Sequence, residues 1–292
     1  MKGRVVKIWN QWVTVMVPEG PVLARPRGKL SSARVLVGDE VEVELLPDGR
    51  GIIRRIEARR NQLERPPVAN VDRLLVVFSW ESPKVAPEWV DRVLLQGEWR
   101  RLAMALFLNK GDLLVGERRE EGERFLSLYR QAGYPAWMGS AREKENLEPV
   151  EGFLAGEGIT VLAGESGLGK TRLLNALYPG LELKSGVVSE KTGRGRHTTR
   201  HPQLLPTGKG WVVDTPGFSR LFLPPVEPHE LGRLFPEMRE RAQECRFRDC
   251  LHRTEPGCAV REAVHRGEVD ESRFGRYLQF LEELLAERKK TF

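Results

Sequence analysis

Gly164-Glu165-Ser166-Gly167-Leu168-Gly169-Lys170-Thr171 decides how this chain folds. The stretch matches G-x-x-x-x-G-K-[ST] and lies between a strand-like run, Gly158-Ile159-Thr160-Val161-Leu162-Ala163, and a helix-like one, Arg172-Leu173-Leu174-Asn175-Ala176-Leu177. Glycines let the backbone N–H groups turn toward an anion, and the N-terminus of the following helix adds partial positive charge. Lys170 suits the outer phosphates of a nucleotide and the Thr171 hydroxyl suits Mg²⁺. Gly164 to Thr171 and the adjoining Arg172 therefore form the candidate phosphate-binding set. A plain glycine turn is the alternative, but it would not require strand, loop and helix to agree.

Working outward, Asn109-Lys110-Gly111-Asp112 lies upstream and follows the apolar run Met104-Ala105-Leu106-Phe107-Leu108. That resembles the strand end where nucleotide sites collect in open α/β sheets. A carboxylate such as Asp112 accepts both N–H groups on guanine's Watson–Crick edge, whereas adenine has no matching pair of donors. Ser140-Ala141, after the strand-like Tyr134-Pro135-Ala136-Trp137-Met138, would support the base, although so common a dipeptide counts only as part of the set. In Ras-like GTPases the phosphate loop precedes the guanine loop. Here the order is reversed, so the domain is circularly permuted, as a fold tolerates when its original termini lie close together at the surface.

Downstream, Trp211-Val212-Val213-Asp214-Thr215-Pro216-Gly217 is a short apolar strand ending in D-x-x-G. Asp214 would hold Mg²⁺ through water and the Gly217 N–H would sense the γ-phosphate; the alternative is a strand followed by a Pro-Gly turn. Phe218 stands where many Ras-like enzymes carry a water-orienting glutamine, and it has no polar group for that work. Between the two motifs, residues 185–200 have the glycine-rich, apolar-poor composition of a mobile loop and are expected to form the first switch. Thr198 or Thr199 would close on Mg²⁺ and the γ-phosphate, Thr199 being preferred. From Lys184 to Arg200 five Lys or Arg face one Glu, a net +4 that suggests a second anion such as RNA, against the alternative of a solvated basic loop.

All three cysteines fall in Cys245-x4-Cys250-x-His252-x5-Cys258. Three thiolates and an imidazole complete a tetrahedral Zn²⁺ set with no open position, so one structural zinc is expected rather than a catalytic one. The spacing differs from the commonest finger patterns, and a chance cluster of buried cysteines is the alternative. The odd number and cytosolic composition argue against disulfides.

At 292 residues the chain can hold two or three domains. It contains no run of 18 apolar residues, and its first residues lack a signal core, so no membrane contact is expected and the location is expected to be cytoplasmic. The formal charge is +6, and residues 1–65 hold 13 Lys or Arg against 8 Asp or Glu, a local +5 that suits a nucleic-acid partner. In this segment Arg4-Val5-Val6-Lys7-Ile8 and Trp12-Val13-Thr14-Val15-Met16-Val17 meet across Asn10-Gln11, and Glu40 to Leu45 turns at Asp48-Gly49 into Gly51 to Ile56. With Trp9, Trp12 and interspersed Arg and Lys, an oligonucleotide-binding (OB) barrel is expected; an SH3-like barrel with core aromatics is the alternative. Asn61 to Asn70, containing Pro66-Pro67, reads as a linker. The expected fold is multidomain α/β: an OB-like β-barrel over 1–65, a circularly permuted P-loop GTPase domain over 66–222, and a helical zinc-binding module over 223–292.

In combination, Asn109 to Asp112, Gly164 to Thr171, Gly193-Arg194-Gly195-Arg196-His197-Thr198-Thr199, Asp214 to Gly217 and the ligands Cys245, Cys250, His252 and Cys258 resemble the ribosome small-subunit-dependent GTPase A family. The resemblance runs along nearly the whole chain. It implies a GTPase that acts late in assembly of the 30S subunit, contacts 16S rRNA near the decoding region, and leaves after hydrolysis stimulated by the subunit. It also implies that His197 is the catalytic residue, where sequence alone leaves a solvated loop histidine open. A monomer carrying GTP or GDP is expected. Two other readings are an RNA-binding module that keeps GTP as a structural ligand, favoured by Phe218, and a broader P-loop ATPase, disfavoured by Asp112.

Overall fold

The computed structural model describes residues 1–28, 35–81, 83–181, 202–214 and 222–291, with the side chains of 214, 290 and 291 left aside. Strands β1 (Lys2–Trp9), β2 (Trp12–Val17), β3 (Gly20–Pro26), β4 (Glu40–Leu45) and β5 (Gly51–Ile56) close into a barrel in the order β1-β2-β3-β5-β4-β1. The closure follows from period-2 alternation: Val5, Val13, Val15, Val17, Val41, Val43 and Ile53 all point inward onto one another, while Lys and Glu between them face water. Every pairing is antiparallel except β3 with β5. This parallel closure and the five-strand order belong to the OB fold and not to the SH3-like alternative.

The stretch expected to be a linker is instead a tied hairpin, β6 (Gln62–Glu64) against β7 (Pro67–Ala69). Asn61 and Asn70 staple its base. The Asn61 side chain accepts from the Val71 N–H and donates to the Val71 carbonyl, while Asn70 accepts from the Arg60 N–H and donates to the Gly38 carbonyl of the barrel. Satisfying both the donor and the acceptor of a buried amide holds the segment in one conformation, despite prolines that mark a break in the sequence.

Beyond it stand β8 (Arg73–Phe78), α1 (Pro87–Trp99), β9 (Ala103–Leu108), α2 (Glu117–Gln131), β10 (Ala136–Met138), α3 (Glu148–Leu154), β11 (Gly158–Ala163), α4 (Lys170–Leu177), β12 (Gln203–Thr207) and β13 (Gly210–Asp214). Their sheet runs β10-β9-β8-β11-β13-β12, parallel except for the β12–β13 hairpin. The strands read as continuous apolar runs because both faces are covered. Val76, Phe78, Leu106 and Val161 pack with Val90 and Val93 of α1 and with Phe125 and Tyr129 of α2. Their neighbours Leu75, Val77, Phe107 and Leu162 face the other way, onto Leu154 of α3 and onto Leu173 and Leu174 of α4. The strand carrying the phosphate loop, β11, lies mid-sheet although three strands of that sheet precede it in the chain, which is the permutation seen as topology. Among the described residues the barrel adjoins the sheet's edge through one pairing, Lys7 of β1 with Gln203 of β12.

The C-terminal part contains α5 (Pro236–Arg239), α6 (Ala259–His265) and α7 (Glu271–Thr291), with short 3₁₀ turns over Pro228–Leu234 and Arg241–Glu244. Its core of Leu231, Phe235, Met238, Val260, Tyr277, Phe280 and Leu281 also takes in Leu95 of α1. A buried ionic cluster makes the same junction. Asp91 of α1, 1% exposed, accepts from the Tyr129 hydroxyl at 2.8 Å, from Arg273 Nη1 at 2.6 Å and from Arg276 Nε, while Arg273 also donates to Glu237.

Candidate nucleotide site and metal centre

Three loops at the ends of β9, β10 and β11 meet around one side chain. Asn109, 2% exposed, donates from Nδ2 to the Leu168 carbonyl of the phosphate loop at 2.8 Å, and its Oδ1 accepts the Ala141 N–H at 2.9 Å. Its own N–H is held by the Phe78 carbonyl of β8. Asn109 is therefore a brace between the two other loops, a position that a guanine-clamp motif does not spell out. The approach is close enough to dictate a glycine: a Cβ on Gly169, whose φ is +83°, would lie 2.7 Å from Asn109 Nδ2.

Asp112 sits in a 3₁₀ turn, Gly111–Leu113, anchored by the Gly111 N–H on the Gly139 carbonyl. The fully buried Ser140 donates its hydroxyl to Asp112 Oδ1 at 2.5 Å, and Ser140 Oγ accepts the N–H groups of Arg142 and Glu143. With all its bonds made, Ser140 points the Asp112 carboxylate in one direction. Lys110 has a left-handed backbone, φ 66°. Burial pushes its ammonium below the ordinary lysine pKa, nearby Arg172 adds to this, and Asp112 opposes it.

The phosphate loop leaves β11 at Ala163 and enters α4 at Lys170. Lys170 is 7% exposed and donates from Nζ to the carbonyls of Gly164 and Glu165, both at 2.8 Å. These contacts tie the lysine to the loop whose backbone N–H groups suit phosphate oxygens. Thr171 is half-buried on the first turn of α4, Arg172 beside it is exposed, Glu165 is exposed, and Ser166 and Gly167 are half-buried. Asp214 ends β13, which pairs parallel to β11, so both strands finish at the same end of the sheet. His197, Thr198, Thr199, Gly217 and Phe218 lie outside the described residues.

Cys245, Cys250, His252 and Cys258 come together with all their ligand atoms within 4.8 Å of one another. Cys245 Sγ is 3.6 Å from His252 Nδ1 and 3.9 Å from Cys258 Sγ, and His252 Nδ1 is 3.4 Å from Cys258 Sγ. Tetrahedral bonds of about 2.3 Å to sulfur and about 2.0–2.1 Å to nitrogen require S···S near ~3.8 Å and S···N near ~3.6 Å, so the donor set fits zinc. His252 takes a left-handed φ of 57°, and its ring is confined by Gly232, where a Cβ would meet Nε2 at 2.9 Å. Behind it, Glu255 accepts the N–H groups of Leu251, Arg253 and Thr254, and the Tyr277 hydroxyl donates to the Leu251 carbonyl at 2.7 Å. Burial pushes the Cys250 thiol up to about 12, raises Cys258 as well, and lowers His252, which favours its neutral, ligating form. A cation at the centre would reverse the thiol shifts by favouring thiolates.

A mid-sheet phosphate loop, braced to an upstream guanine loop and flanked by an OB barrel and a compact Cys₃His module, defines the class: a circularly permuted P-loop GTPase. The sequence profile of the RsgA GTPase family matches residues 56–224. The small ribosomal subunit biogenesis GTPase RsgA of Halalkalibacterium halodurans is 40% identical over 100% of this chain and 99% of its own length; the protein of that name from a Geobacillus strain is 42% identical over the same shares. Among solved structures, YjeQ from Thermotoga maritima superposes with a TM-score of 0.84 at 36% identity, covering 97% of this chain and 98% of that one. YloQ, a circularly permuted GTPase, does so at 0.81 and 32% identity, covering 98% and 95%. The chain belongs to the RsgA GTPase family and is a GTP-hydrolysing enzyme.

Proposed function

We propose that this GTPase acts in biogenesis of the small ribosomal subunit in the cytoplasm, as a monomer that binds the 30S particle through 16S rRNA and leaves after hydrolysis. The observation that carries the reading is the Asn109 brace. It locks the guanine loop and the phosphate loop into one rigid site on a chain whose relatives over full length bear the name of that process. Asp112, oriented by Ser140, accepts the guanine N–H groups, with Ala141 supporting the base. On nucleotide binding Lys170 exchanges the Gly164 and Glu165 carbonyls for phosphate oxygens, and the loop N–H groups from Glu165 to Thr171 line the phosphates, with Arg172 beside them.

Mg²⁺, when bound with GTP, neutralises charge on the β- and γ-phosphates; Thr171, Thr199 and Asp214 are the residues that would hold it, and Gly217 would sense the γ-phosphate. Phe218 has no polar group for the attacking water, so His197 is assigned to orient it when the enzyme is bound to the subunit. Cys245, Cys250, His252 and Cys258 hold one zinc that ties the module 223–292 together, while residues 1–65 and 66–222 form the RNA-binding barrel and the GTPase domain.

Co-sedimentation with purified 30S particles tests the reading. Retention with a non-hydrolysable GTP analogue and release with GDP are expected; equal retention in both states would remove the coupling of hydrolysis to departure.

A further inference from the structure

Gln203 stands between the barrel and the nucleotide site. It pairs with Lys7 of β1 on one side and, across the β12–β13 hairpin, with Asp214 on the other. At about 4.8 Å per strand, the barrel's edge is about 10 Å from the backbone of the residue that begins D-x-x-G. The hairpin also lies between the two residues assigned to the γ-phosphate, since Thr199 is four residues before Gln203 and Gly217 three after Asp214. Leu204 of β12 and Val213 of β13, both buried, share one apolar cluster with Val6 of β1 and with Val37 of the barrel. Beyond the Lys7–Gln203 pair the two parts stand apart. Pro206 of β12 brings no N–H to extend the pairing, and a groove of about 470 Å³ separates Arg4, Met16 and Val17 from Trp211 of β13. A second tie holds the barrel to the β6–β7 hairpin, which carries none of the nucleotide motifs. There the Asn70 side chain donates to the Gly38 carbonyl at 3.1 Å, Val37 bridges to Val68, and a Cβ on Gly38 would lie 2.1 Å from the Ala69 carbonyl oxygen.

We propose that the barrel pivots on the Gly38–Asn70 tie with the β12–β13 hairpin as its lever, so that contacts to the γ-phosphate at the two ends of the hairpin set the barrel's orientation and its hold on RNA. The inference rests on the RNA-binding reading above and supplies the route by which hydrolysis reaches the barrel. The apolar cluster transmits a displacement because close-packed side chains do not compress, and a single backbone pair beside an open groove leaves room for the rotation. A ligand shifts a two-state equilibrium only through its differential interaction with the two states. GTP differs from GDP by the γ-phosphate, the group assigned to residues at both ends of the lever. Linkage makes the effect reciprocal: the factor by which GTP rather than GDP strengthens binding to 30S is the factor by which 30S raises the preference for GTP.

Co-sedimentation of the full-length protein over a range of 30S concentrations, with a non-hydrolysable GTP analogue and with GDP, gives the ratio of the two dissociation constants. For wild type it should be about fivefold or more. Val6→Ala thins the apolar contact with the hairpin and should bring the ratio to within about twofold of one, while affinity for the GTP analogue without 30S stays within about twofold of wild type, because Val6 lies in the barrel. A cross-link is the opposite perturbation. Lys7→Cys with Gln203→Cys places two thiols at paired positions, where a Cα separation of about 4.5–5.5 Å suits a disulfide, and the bridge is assigned by peptide mass spectrometry. The bridged protein should keep the full ratio, since barrel and hairpin move together. A wild-type ratio that survives Val6→Ala, or one that collapses in the bridged protein, would overturn the lever and leave the RNA reading standing. A wild-type ratio near one would overturn the coupling of hydrolysis to release, and the lever with it.

Discussion

Asn109→Ala removes the side chain that joins the two nucleotide loops. The substitution leaves the Leu168 carbonyl without its donor and the Ala141 N–H without its acceptor, and both residues are less than 5% exposed. An unsatisfied buried polar group costs about 1–3 kcal/mol. Two such groups cost about 2–6 kcal/mol if nothing moves, and because both lie in loops that can shift toward water, the expected loss is in the lower half, about 2–4 kcal/mol. For a unit of this size that is a fall in melting temperature of roughly 4–16 °C. The same loops carry the phosphates and the base, so GTP affinity should fall along with stability, by at least about tenfold. Thermal unfolding followed by circular dichroism and titration with a fluorescent GTP analogue measure the two effects. A variant that melts within 1 °C of wild type and binds GTP equally would refute the brace.

Asp112→Asn should shift preference from GTP toward xanthosine triphosphate, since an amide can donate to the carbonyl that replaces guanine's amino group; unchanged selectivity in competition binding would count against the base assignment. Cys250→Ser should lower zinc content by elemental analysis and loosen the C-terminal module while leaving GTP affinity nearly intact, because the cluster and the phosphate loop lie in separate cores. Asp91→Asn should destabilise the chain by about 3–5 kcal/mol in urea unfolding, because it leaves the buried Arg276 unpaired and strips Arg273 of one of its two carboxylates; a loss below about 1 kcal/mol would show that the junction relies on apolar packing alone.

The order of the two nucleotide motifs and the Cys₃His spacing were legible because each is local, a few residues whose chemistry needs that spacing. The barrel was legible wherever alternation was clean. Strand β3 was not, since Gly20, Pro21 and Pro26 read as turn residues while its pairing partners lie on β2 and β5. The hairpin at 62–69 reads as a linker because Pro66-Pro67 dominates its local signal; what orders it is Asn70 reaching Gly38, 32 residues away. The same limit hid the Asp91 cluster, whose arginines are more than 180 residues downstream. Asn109 reads as part of a motif, but its partners, Leu168 and Ala141, are set by the parallel sheet that brings the C-terminal ends of β9, β10 and β11 near one another. Periodicity carries faces and elements; it does not carry which side chains meet across layers.

The most direct measurement is the rate of GTP hydrolysis by the purified chain alone, with 30S subunits and with 50S subunits, for wild type and for His197→Ala. The account predicts slow turnover alone, acceleration of at least about tenfold by 30S and none by 50S, and loss of most of that acceleration in His197→Ala, with GTP binding and 30S retention preserved. Equal rates with and without 30S would contradict the small-subunit role. Full stimulation of the His197→Ala variant would instead mean that the ribosomal particle supplies the group that orients the water.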